Sequence, residues 1–392
     1  MTHKYQHALV IGKFYSPHLG HLHTINAAAE MAEHVSVIIY DSRFHTIRGA
    51  DKKRWLEADL ANPRVSIHVM RSDIYDDYES RVVWDAHMAL MEAFMRAEGI
   101  TGIDVVVASE DYANVMAKEY FGGIAAEIVD AERLGFPISG TLCREDIVTN
   151  WEHLTPSARR DLMPRVIVLG AESTGTSTLS TALAKHYGAR WIEEYGARRT
   201  WDLFDINGVA VTDDIVWDEQ EFEHIGTTQT ALEDLIAART STGISEAEQA
   251  TLESLSPGAQ RAFAASQEVG GLYPLLIGDT DALATAVWEK RYVEGVSLET
   301  ALGRRYANEL PRRDLYIITD HVGVPFVENG IRNSEMLRES MGVEFEDALT
   351  ERGYPWIRLG GTEKERLEVA VAMIDALLTV SFEFADPKRF AR

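Results

Sequence analysis

A short segment near the start of the chain places two histidines where phosphate chemistry could occur. The segment Gly12–His21 reads GKFYSPHLGH and follows an apolar run that begins at Ala8. His18 and His21 stand three residues apart at the start of a predicted helix, so both rings can face one pocket together with the amide dipole of that helix. Gly20 and the first glycine of the segment allow the backbone to approach a ligand closely. The spacing therefore predicts a site for a triphosphate.

A second segment has the pattern of a phosphate-binding loop, with one departure. Val166–Leu169 is an apolar run, and the GAESTGTST that follows it places Gly170 and Gly175 before a predicted helix. A strand, a glycine loop and a helix start suit an anion, because successive amides and the helix dipole bind it. The spacing fits Gly-x-x-x-x-Gly-Lys-Ser/Thr, except that Thr176 occupies the lysine position. Ser177 remains available to bind magnesium.

The elements that must position these segments form two α/β series. The predicted strands are 8–12, Val35–Tyr40, Val65–Val69, Asp104–Ala108 and Glu127–Val129 in the first, and Val166–Leu169, Leu272–Ile277, Leu315–Thr319 and Trp356–Leu359 in the second. Apolar strands separated by helical stretches indicate parallel sheets. A polar, proline-bearing stretch at Trp151–Pro164 predicts domains at 1–155 and 156–392. We also expect a last helix at 362–380 and an exposed, strand-free insertion at 237–271.

Composition narrows the class of protein. The chain has 392 residues, with 38 Lys and Arg against 62 Asp and Glu, and a formal net charge of −24. An acidic surface repels polyanions, which argues against nucleic-acid binding but not against nucleotides. No apolar run reaches the ~18 residues that a membrane span needs, and no secretory signal is present. With Cys143 as the single cysteine, these features predict a cytoplasmic protein without disulfides or a membrane partner.

The first segment resembles the signature of a known enzyme superfamily. GKFYSPHLGH resembles Gly-x-Phe-x-Pro-x-His-x-Gly-His of the nucleotidyltransferases, which include nicotinamide mononucleotide adenylyltransferases; the glycines, the phenylalanine and both histidines match, and Pro17 lies one position after the proline of the pattern. Ile138–Arg144 (ISGTLCR) resembles a later motif, whose hydroxyls, amides and arginine hold the phosphates of ATP in those enzymes. The resemblance implies a Rossmann-like nucleotidyltransferase domain with a parallel sheet. It assigns Lys13, His18, His21 and Arg144 to catalysis, and Gly12, Phe14, Gly20, Ser139 and Thr141 to nucleotide binding.

Adenylyl transfer explains these residue types. The attacking group would be a phosphate oxygen of the mononucleotide, which is already anionic at neutral pH, so no strong general base is required. The site must instead hold two repelling anions in line and neutralise the charge that builds on the α-phosphate and the leaving oxygens. We expect the four catalytic residues to be the donors that do so.

Further segments resemble the NadR-type bifunctional enzymes of NAD salvage. Val107–Tyr112 (VASEDY) and Val129–Arg133 (VDAER) look like the corresponding stretches of their adenylyltransferase domain. The resemblance places Asp111 and Arg133 near the substrate, although a surface ion pair would explain either residue equally well. In this family the first domain joins nicotinamide mononucleotide to the adenylyl group of ATP, which gives NAD, and a P-loop kinase-like domain phosphorylates nicotinamide riboside.

The glycine loop resembles the phosphate-binding loop of the kinase-like domain in the same family. The loop residues assigned to ATP are Gly170, Gly175, Thr176, Ser177 and Thr178. Leu275–Asp281 reads LLIGDTD and resembles the magnesium strand of the family, so Mg²⁺ is expected at Ser177 and Asp279. An aspartate that only caps the next helix is the alternative.

Two later segments complete the resemblance, and two expected charges are absent. EEYGAR at 193–198 assigns Glu194 and Arg198 to the riboside, and PFVENGIR at 325–332 assigns Arg332 to the transferred phosphate. Thr176 replaces the loop lysine, and Asn329 replaces an acid. Either another cation reaches the loop, or the loop binds nucleotide without fast transfer, or the domain is a sensor. The candidate cations are Lys185, Arg198, Arg304 and Arg332.

The sequence thus predicts an enzyme of NAD salvage with ATP as co-substrate and with nicotinamide mononucleotide, nicotinamide riboside and NAD as further ligands. The alternative is a monofunctional adenylyltransferase whose P-loop domain senses nucleotides and has no kinase activity. A DNA-binding regulator is less favoured, because the first strand begins near Ala8 and leaves no room for a helix-turn-helix domain. The preference between amidated and deamidated mononucleotide stays open, as does assembly into a homo-oligomer.

Overall fold

The structure is a computed structural model that describes residues 3–75, 77, 79–207, 215–306, 312–327 and 335–385, without the side chains of 205–207 and 304–306. The chain forms two compact units. One comprises the described part of Met1–Arg159 together with that of Phe382–Arg392, and the other is Arg160–Ser381. The first unit therefore extends to residue 159, where the sequence predicts a boundary after 155, and it also includes the segment that follows Ser381.

The segment Phe382–Ala385 belongs to the first unit because it packs there. The Phe382 ring lies edge-on to Trp151, with 5.9 Å between ring centroids. The Tyr15 hydroxyl donates to the Ala385 carbonyl at 3.0 Å, and the Ala385 amide donates to Thr46 Oγ1 at 2.9 Å. These contacts explain why the observed second unit ends earlier than the predicted domain 156–392.

The first unit is built on a parallel sheet, as the sequence predicts. Its strands in the described residues are β1 (Tyr5–Gly12), β2 (Ala32–Asp41), β3 (Val65–Arg71), β4 (Val105–Ala108) and β5 (Ala125–Ile128). They pair in the order β3-β2-β1-β4-β5, with Val10 opposite Val37 on one side and Val107 on the other. All three valines are buried, as is typical of central strands in a parallel sheet. The Rossmann-like α/β fold is confirmed.

Helices pack on both faces of this sheet. The helices up to the end of the first unit are α1 (Leu19–Met31), α2 (Gly49–Leu60), α3 (Arg81–Glu98), α4 (Tyr112–Val115), α5 (Gly140–Glu145) and α6 (Pro156–Leu162), the last of which continues past residue 159, with a π-helical turn at Met116–Tyr120 and a 3₁₀ turn at Trp151–His153. Successive residues of β1 point to opposite faces. Val10 packs in one cluster with Ile25 of α1, whereas Leu9 packs in another with Met91 of α3. The strand that leads into the GKFYSPHLGH segment is thus fixed from both sides.

The second unit also has a parallel sheet. Its strands in the described residues are β6 (Arg165–Gly170), β7 (Ala189–Ile192), β8 (Tyr273–Asp279), β9 (Leu315–Thr319) and β10 (Trp356–Leu359), in the order β10-β9-β6-β8-β7. The sequence pattern does not predict β7, because this edge strand has four residues and contains Arg190. That side chain is buried, and its guanidinium donates to the carbonyls of Leu272 and Tyr273 at 2.6 and 2.8 Å. Paired donors make a buried arginine tolerable in a strand.

The helices of the second unit follow the predicted pattern. They are α7 (Thr176–Tyr187), α8 (Tyr195–Asn207), α9 (Glu219–Ala238), α10 (Glu246–Ser254), α11 (Pro257–Val269), α12 (Ala282–Tyr292), α13 (Leu298–Tyr306), α14 (Leu337–Glu351) and α15 (Glu363–Ser381). The last agrees with the expected 362–380 to within one residue at each end. The 237–271 stretch is helical, as predicted, but only α10 is an exposed insertion, because α11 buries Ala262 and Phe263. None of the helices in the described residues has the length and apolarity required to cross a bilayer.

Candidate functional sites

A cavity of about 850 Å³ opens in the first unit at the carboxyl ends of the strands. It lies where the strand order reverses, between β1 and β4, which is where ligands bind in open α/β sheets. The predicted residues that line it are Gly12, Lys13, Phe14, His18, Gly20, His21, Arg133, Ser139, Thr141 and Arg144. The fold thus brings the two distant motifs of the first unit to one cavity.

His18 and His21 form a stacked pair on the wall of this cavity. Their ring centroids are 3.6 Å apart, and the His18 amide donates to His21 Nδ1 at 3.2 Å. Burial, followed by the positive charge of Arg133, lowers the pKa of His18 to about 3, and burial lowers the pKa of His21 well below its usual value. Both rings are therefore neutral at pH 7, and an accepting Nδ1 leaves the proton of His21 on Nε2. His18 Nδ1 is buried and has no hydrogen-bond partner among the described residues.

The guanidinium of Arg144 is held against the glycine segment. Its Nη1 donates to the carbonyl of Tyr15, and its carbon lies 4.7 Å from the centroid of the Tyr15 ring. The helix that carries Arg144 starts at Ser139, whose Oγ accepts from the Leu142 amide at 3.2 Å. A Cβ on Gly140 would lie 2.7 Å from the Tyr15 carbonyl oxygen, so this close approach requires glycine. The Ser139 hydroxyl, predicted to bind nucleotide, acts as a helix cap in this structure.

Of the two predicted substrate residues, one lines the cavity and one does not. Arg133 donates to the Ile138 carbonyl and to Glu110 Oε1, both at 2.7 Å. Asp111 is absent from the cavity lining, and its carboxylate accepts from Asn114 at 2.7 Å. Glu110, its neighbour in the same VASEDY segment, faces the cavity in its place. The structure therefore places Glu110, and not the predicted Asp111, on the cavity lining.

The opposite wall of the cavity is aromatic and acidic, and no motif predicts it. Its residues come from β2, from the loops after β2 and β3, and from α3, and include Tyr40, Ser72, Asp73, Asp77, Trp84, His87 and Met88. The rings of Tyr40 and His87 lie edge-on, with centroids 5.8 Å apart. Asp73 accepts from the amide and from Nε of Arg43, both at 2.9 Å. This lining suits a flat aromatic ring with an uncharged polar substituent.

Lys52 supports the glycine segment from α2. Its side chain is completely buried, and Nζ donates to the Lys13 carbonyl at 3.2 Å and lies 3.2 Å from Asp41 Oδ1. Burial lowers the pKa of Lys52, and the Asp41 carboxylate opposes that shift. These contacts tie the loop after β1 to the end of β2. No sequence motif points to Lys52, because this residue lies in a helix outside both motifs.

The phosphate-binding loop of the second unit runs from the end of β6 to the start of α7. Gly175 has a φ of 90°, a left-handed conformation that favours glycine. A Cβ on Gly170 would lie 2.3 Å from Thr319 Oγ1 and 2.6 Å from Thr174 Oγ1. The structure therefore brings the predicted loop residues, from Gly170 to Thr178, to one tight turn and helix start.

Asp279 ends β8 beside this loop, as the predicted metal role requires. It is 3% exposed, and its Oδ1 has no hydrogen-bond partner in the described part of the chain. The pKa of Asp279 is raised to about 7: burial raises it most, the hydrogen bond from the Ser177 hydroxyl opposes that shift, and the Glu193 carboxylate adds to it. The described residues hold no group of three or more His, Cys, Asp and Glu side chains that could bind a metal. One uncompensated carboxylate and one hydroxyl nevertheless fit Mg²⁺, which keeps several waters.

Other predicted residues of the second unit are placed differently. Arg198 donates to both carboxylate oxygens of Glu193, at 2.7 and 2.8 Å, and Glu193 is the neighbour of the predicted Glu194. Lys185 lies in the last turn of α7, roughly 13 Å along the axis from Thr176 at 1.5 Å per residue. It is therefore wrong as a substitute for the loop lysine. Asn329, Arg332 and the side chain of Arg304 lie outside the described residues.

Comparison with known proteins identifies the second half of the chain. Residues 165–366, more than half of the sequence, match the family model described as "AAA domain". The chain belongs to the AAA domain family. The phosphate-binding loop, Glu193 and Asp279 all lie within this AAA domain stretch.

Two curated proteins similar to this chain have the same name. The chain is 29% identical over 203 residues to the Trifunctional NAD biosynthesis/regulator protein NadR of Salmonella typhimurium (strain LT2), a match that covers 48% of each protein. It is 28% identical over 201 residues to the protein of the same name from Escherichia coli (strain K12), again with 48% of each covered. The match thus spans about half the length of these curated relatives.

Two solved structures share the fold. A NadR protein in complex with NR has a TM-score of 0.60 and 21% identity, with 97% of this chain and 98% of that one covered. A NadR protein in complex with NAD and AMP-PNP has a TM-score of 0.57 and 21% identity, with 96% and 98% covered. The NadR-type resemblance predicted from the motifs is confirmed.

Proposed function

We propose that this chain is an enzyme of NAD salvage with two activities. The first unit transfers the adenylyl group of ATP to nicotinamide mononucleotide, which gives NAD and pyrophosphate. The second unit uses ATP to phosphorylate nicotinamide riboside, which gives the mononucleotide. The observation that carries the proposal is the convergence of His18, His21 and Arg144 on one cavity at the switch point of the first sheet. The names of the similar proteins, which mention NAD biosynthesis, NR and NAD, support it.

In the first reaction, a phosphate oxygen of the mononucleotide attacks the α-phosphorus of ATP as the bond from that phosphorus to the pyrophosphate oxygen breaks. The charge on the departing pyrophosphate needs donors that are already oriented. His21 offers the Nε2 proton of a neutral ring, and Arg144 offers a guanidinium fixed by Tyr15. Lys13 lines the same cavity and supplies a further positive charge. Positioning and charge stabilisation thus account for catalysis without a general base.

The aromatic wall would receive the pyridine ring of the mononucleotide. Trp84 and Tyr40 offer apolar faces, and Asp73 and Asp77 are the acidic groups nearby. A carboxylate on the ring would be repelled by Asp77, and by Asp73 to the extent that Arg43 leaves its charge unpaired, whereas an uncharged carboxamide would not be repelled. We therefore propose the amidated mononucleotide as the preferred substrate. A kcat/KM comparison of the amidated and deamidated forms measures this preference directly.

The second reaction moves the γ-phosphoryl group of ATP to the 5′-hydroxyl of the riboside. Gly170 to Thr178 would cradle the phosphates with backbone amides. Ser177 and Asp279 would hold Mg²⁺, which supplies positive charge to the β- and γ-phosphates when it is bound. The Glu193–Arg198 pair stands at the end of β7, next to Asp279, and is the candidate contact for the riboside.

Product formation by the full chain tests both activities. With Mg²⁺, ATP and nicotinamide mononucleotide, the protein should form NAD and pyrophosphate in equal amounts. With Mg²⁺, ATP and nicotinamide riboside, it should form the mononucleotide and then NAD. Absence of NAD in the first assay would remove the adenylyltransferase claim.

The second assay also decides between the two candidate functions of the AAA domain stretch. Thr176 at the lysine position favours a nucleotide sensor without kinase activity, since the usual charge on the transferred phosphate is missing. Phosphorylated riboside above a protein-free blank excludes the sensor alternative. A result equal to the blank leaves an adenylyltransferase with a nucleotide-binding second unit.

A further inference from the structure

Two buried arginines lie behind the phosphate-binding loop of the second unit. Arg338 stands in the first turn of α14 and Arg366 near the start of α15, and each is 4% exposed. Arg338 Nη2 donates to the carbonyl of Ser173 at 3.0 Å, and Arg366 Nη1 donates to the carbonyl of Thr174 at 2.7 Å. Both side chains come from elements more than a hundred residues after the loop, and neither belongs to the motifs of the sequence.

The same guanidiniums also fix the chain around the loop. Arg338 donates to the Val324 carbonyl at 2.9 Å, in the segment that follows β9. Arg366 donates to the carbonyls of Asp320 and Gly361, at 2.8 and 3.0 Å, after β9 and β10. Each guanidinium therefore donates to several carbonyl oxygens, and these hydrogen bonds fix the position of its positive charge.

These contacts set the direction of the loop amides. In a trans peptide the C=O and the following N–H point to opposite sides. The carbonyls of Ser173 and Thr174 accept from the arginines, so the amides of Thr174 and Gly175 point away from them. A peptide whose oxygen accepts from a cation is also a stronger donor at its nitrogen, because linked hydrogen bonds polarise one another.

We propose that Arg338 and Arg366 supply, through the peptide groups of the loop, the positive charge that a lysine at position 176 would otherwise supply to the β- and γ-phosphates of ATP. They are positioning residues, because they act through the backbone and need not touch the nucleotide. The inference rests on the proposed nucleotide-binding function of the second unit. It explains how a loop with Thr176 can still hold a polyphosphate.

Titration with AMP-PNP and Mg²⁺ tests this role in the full chain. Saturating NAD occupies the cavity of the first unit, so the remaining calorimetric binding event belongs to the second. Arg366→Gln and Arg338→Gln should each weaken AMP-PNP binding by about tenfold or more, as expected when a hydrogen bond to a charged group is lost. Arg366→Lys keeps the charge and should lose less affinity than Arg366→Gln.

Rescue separates an electrostatic role from a merely structural one. Thr176→Lys places a cation directly in the loop, so it should restore most of the affinity lost in Arg366→Gln. In the parent background the same substitution should change affinity by less than about threefold. Arg352→Gln, at the far end of α14 from Arg338, is the matched control and should leave affinity within about twofold. The KM for ATP in NAD formation should not change in any of these variants.

The outcomes against the inference are specific. It is overturned if the parent shows no AMP-PNP binding in the presence of NAD, or if both glutamine variants bind within about twofold of the parent. It is also overturned if Thr176→Lys restores no affinity, since a loop that has only lost its shape would not regain it from a new charge. A parent that binds AMP-PNP but phosphorylates no riboside refutes only the kinase activity, and the arginine role remains measurable.

Discussion

The two phosphate-binding turns of this chain obtain positive charge in different ways. In the first unit, Lys13, Arg133 and Arg144 face the cavity themselves, and a neutral histidine pair stands beside them. In the second unit, Arg338 and Arg366 donate to the carbonyls of Ser173 and Thr174, so in the proposed role their positive charges act on a nucleotide only through the peptide groups of the loop. The proposed task of holding a polyphosphate would thus fall to half-buried side chains that face the cavity in one unit, and to backbone held by arginines in the other.

The comparison predicts that a single side-chain substitution lowers activity most in the first unit. His21→Ala should lower kcat for NAD formation by about 100- to 1,000-fold, the usual cost of one lost donor to a developing charge. Riboside phosphorylation should be unchanged. His34→Ala, which removes an exposed histidine from β2, is the matched control. A His21→Ala enzyme within twofold of the parent would refute the phosphate role of His21.

A pair of glycine substitutions should affect the two activities separately. Gly140→Ala pushes a Cβ to 2.7 Å from the Tyr15 carbonyl that holds Arg144, and Gly170→Ala pushes one to 2.3 Å from Thr319 Oγ1. Overpacking of this kind costs about 1–3 kcal/mol. We expect Gly140→Ala to lower the rate of NAD formation about tenfold or more and to leave AMP-PNP binding to the second unit unchanged. Gly170→Ala should weaken AMP-PNP binding about tenfold or more and leave NAD formation unchanged.

Gly303→Ala is the control for this pair, because a Cβ there would meet no atom within 4 Å. Steady-state rates and thermal unfolding of the three variants distinguish a local effect from general destabilisation. If either loop variant impairs both activities equally, the two sites are not independent as the comparison requires.

Acid should destabilise the first unit through its buried histidines. The pKa of His18 is about 3 in the folded chain, against about 6.5 when unfolded. The unfolded state therefore binds the proton more readily, so stability is lost as the pH falls from about 6.5 toward 3. At about pH 5 this residue alone should remove ~2 kcal/mol from the free energy of unfolding.

Denaturant unfolding of the parent and of His18→Gln at about pH 7 and pH 5 measures this effect. The variant should lose less stability on acidification, since glutamine does not titrate. Equal losses in the two proteins would contradict the assignment of a neutral, buried His18.

The smallest effect is expected at the position that departs most from the usual motif. Thr176→Lys should raise riboside phosphorylation or leave it unchanged, within about threefold, because Arg338 and Arg366 already polarise the loop. The rate at saturating ATP and riboside measures it. A steep loss would mean that the loop excludes a second cation.

Motifs located the parts of each site that are close together in the sequence. The glycine segment, Arg144 and the loop from Gly170 occupy the predicted places, because a strand that leads into a helix fixes such a turn locally. Asp279 was also predictable, since the carboxyl ends of parallel strands share one edge of the sheet. The apolar runs predict the strands of both sheets except β7. This strand has only four residues, and Arg190 interrupts its apolar sequence although the side chain is buried.

Groups supplied by distant elements could not be predicted. Lys52, Trp84, Arg338 and Arg366 belong to helices with their own surface pattern, and only the packing of those helices brings the side chains to a site. Lys185 shows an error that helix geometry could have avoided, since it lies nine positions after Thr176 in α7. Glu110 and Glu193 show that a motif selects a segment without deciding which of two adjacent carboxylates contacts the cavity or the neighbouring arginine.

The stacked imidazoles of His18 and His21 also affect the heat of nucleotide binding. An anion placed beside a neutral ring raises its proton affinity, so a polyphosphate that reaches the pair should draw protons from the buffer. The apparent enthalpy of ATP binding would then change with the ionisation enthalpy of the buffer, and the slope of that dependence counts the protons taken up. A calorimeter could in this way report the charge state of two among the thirteen histidines of the chain.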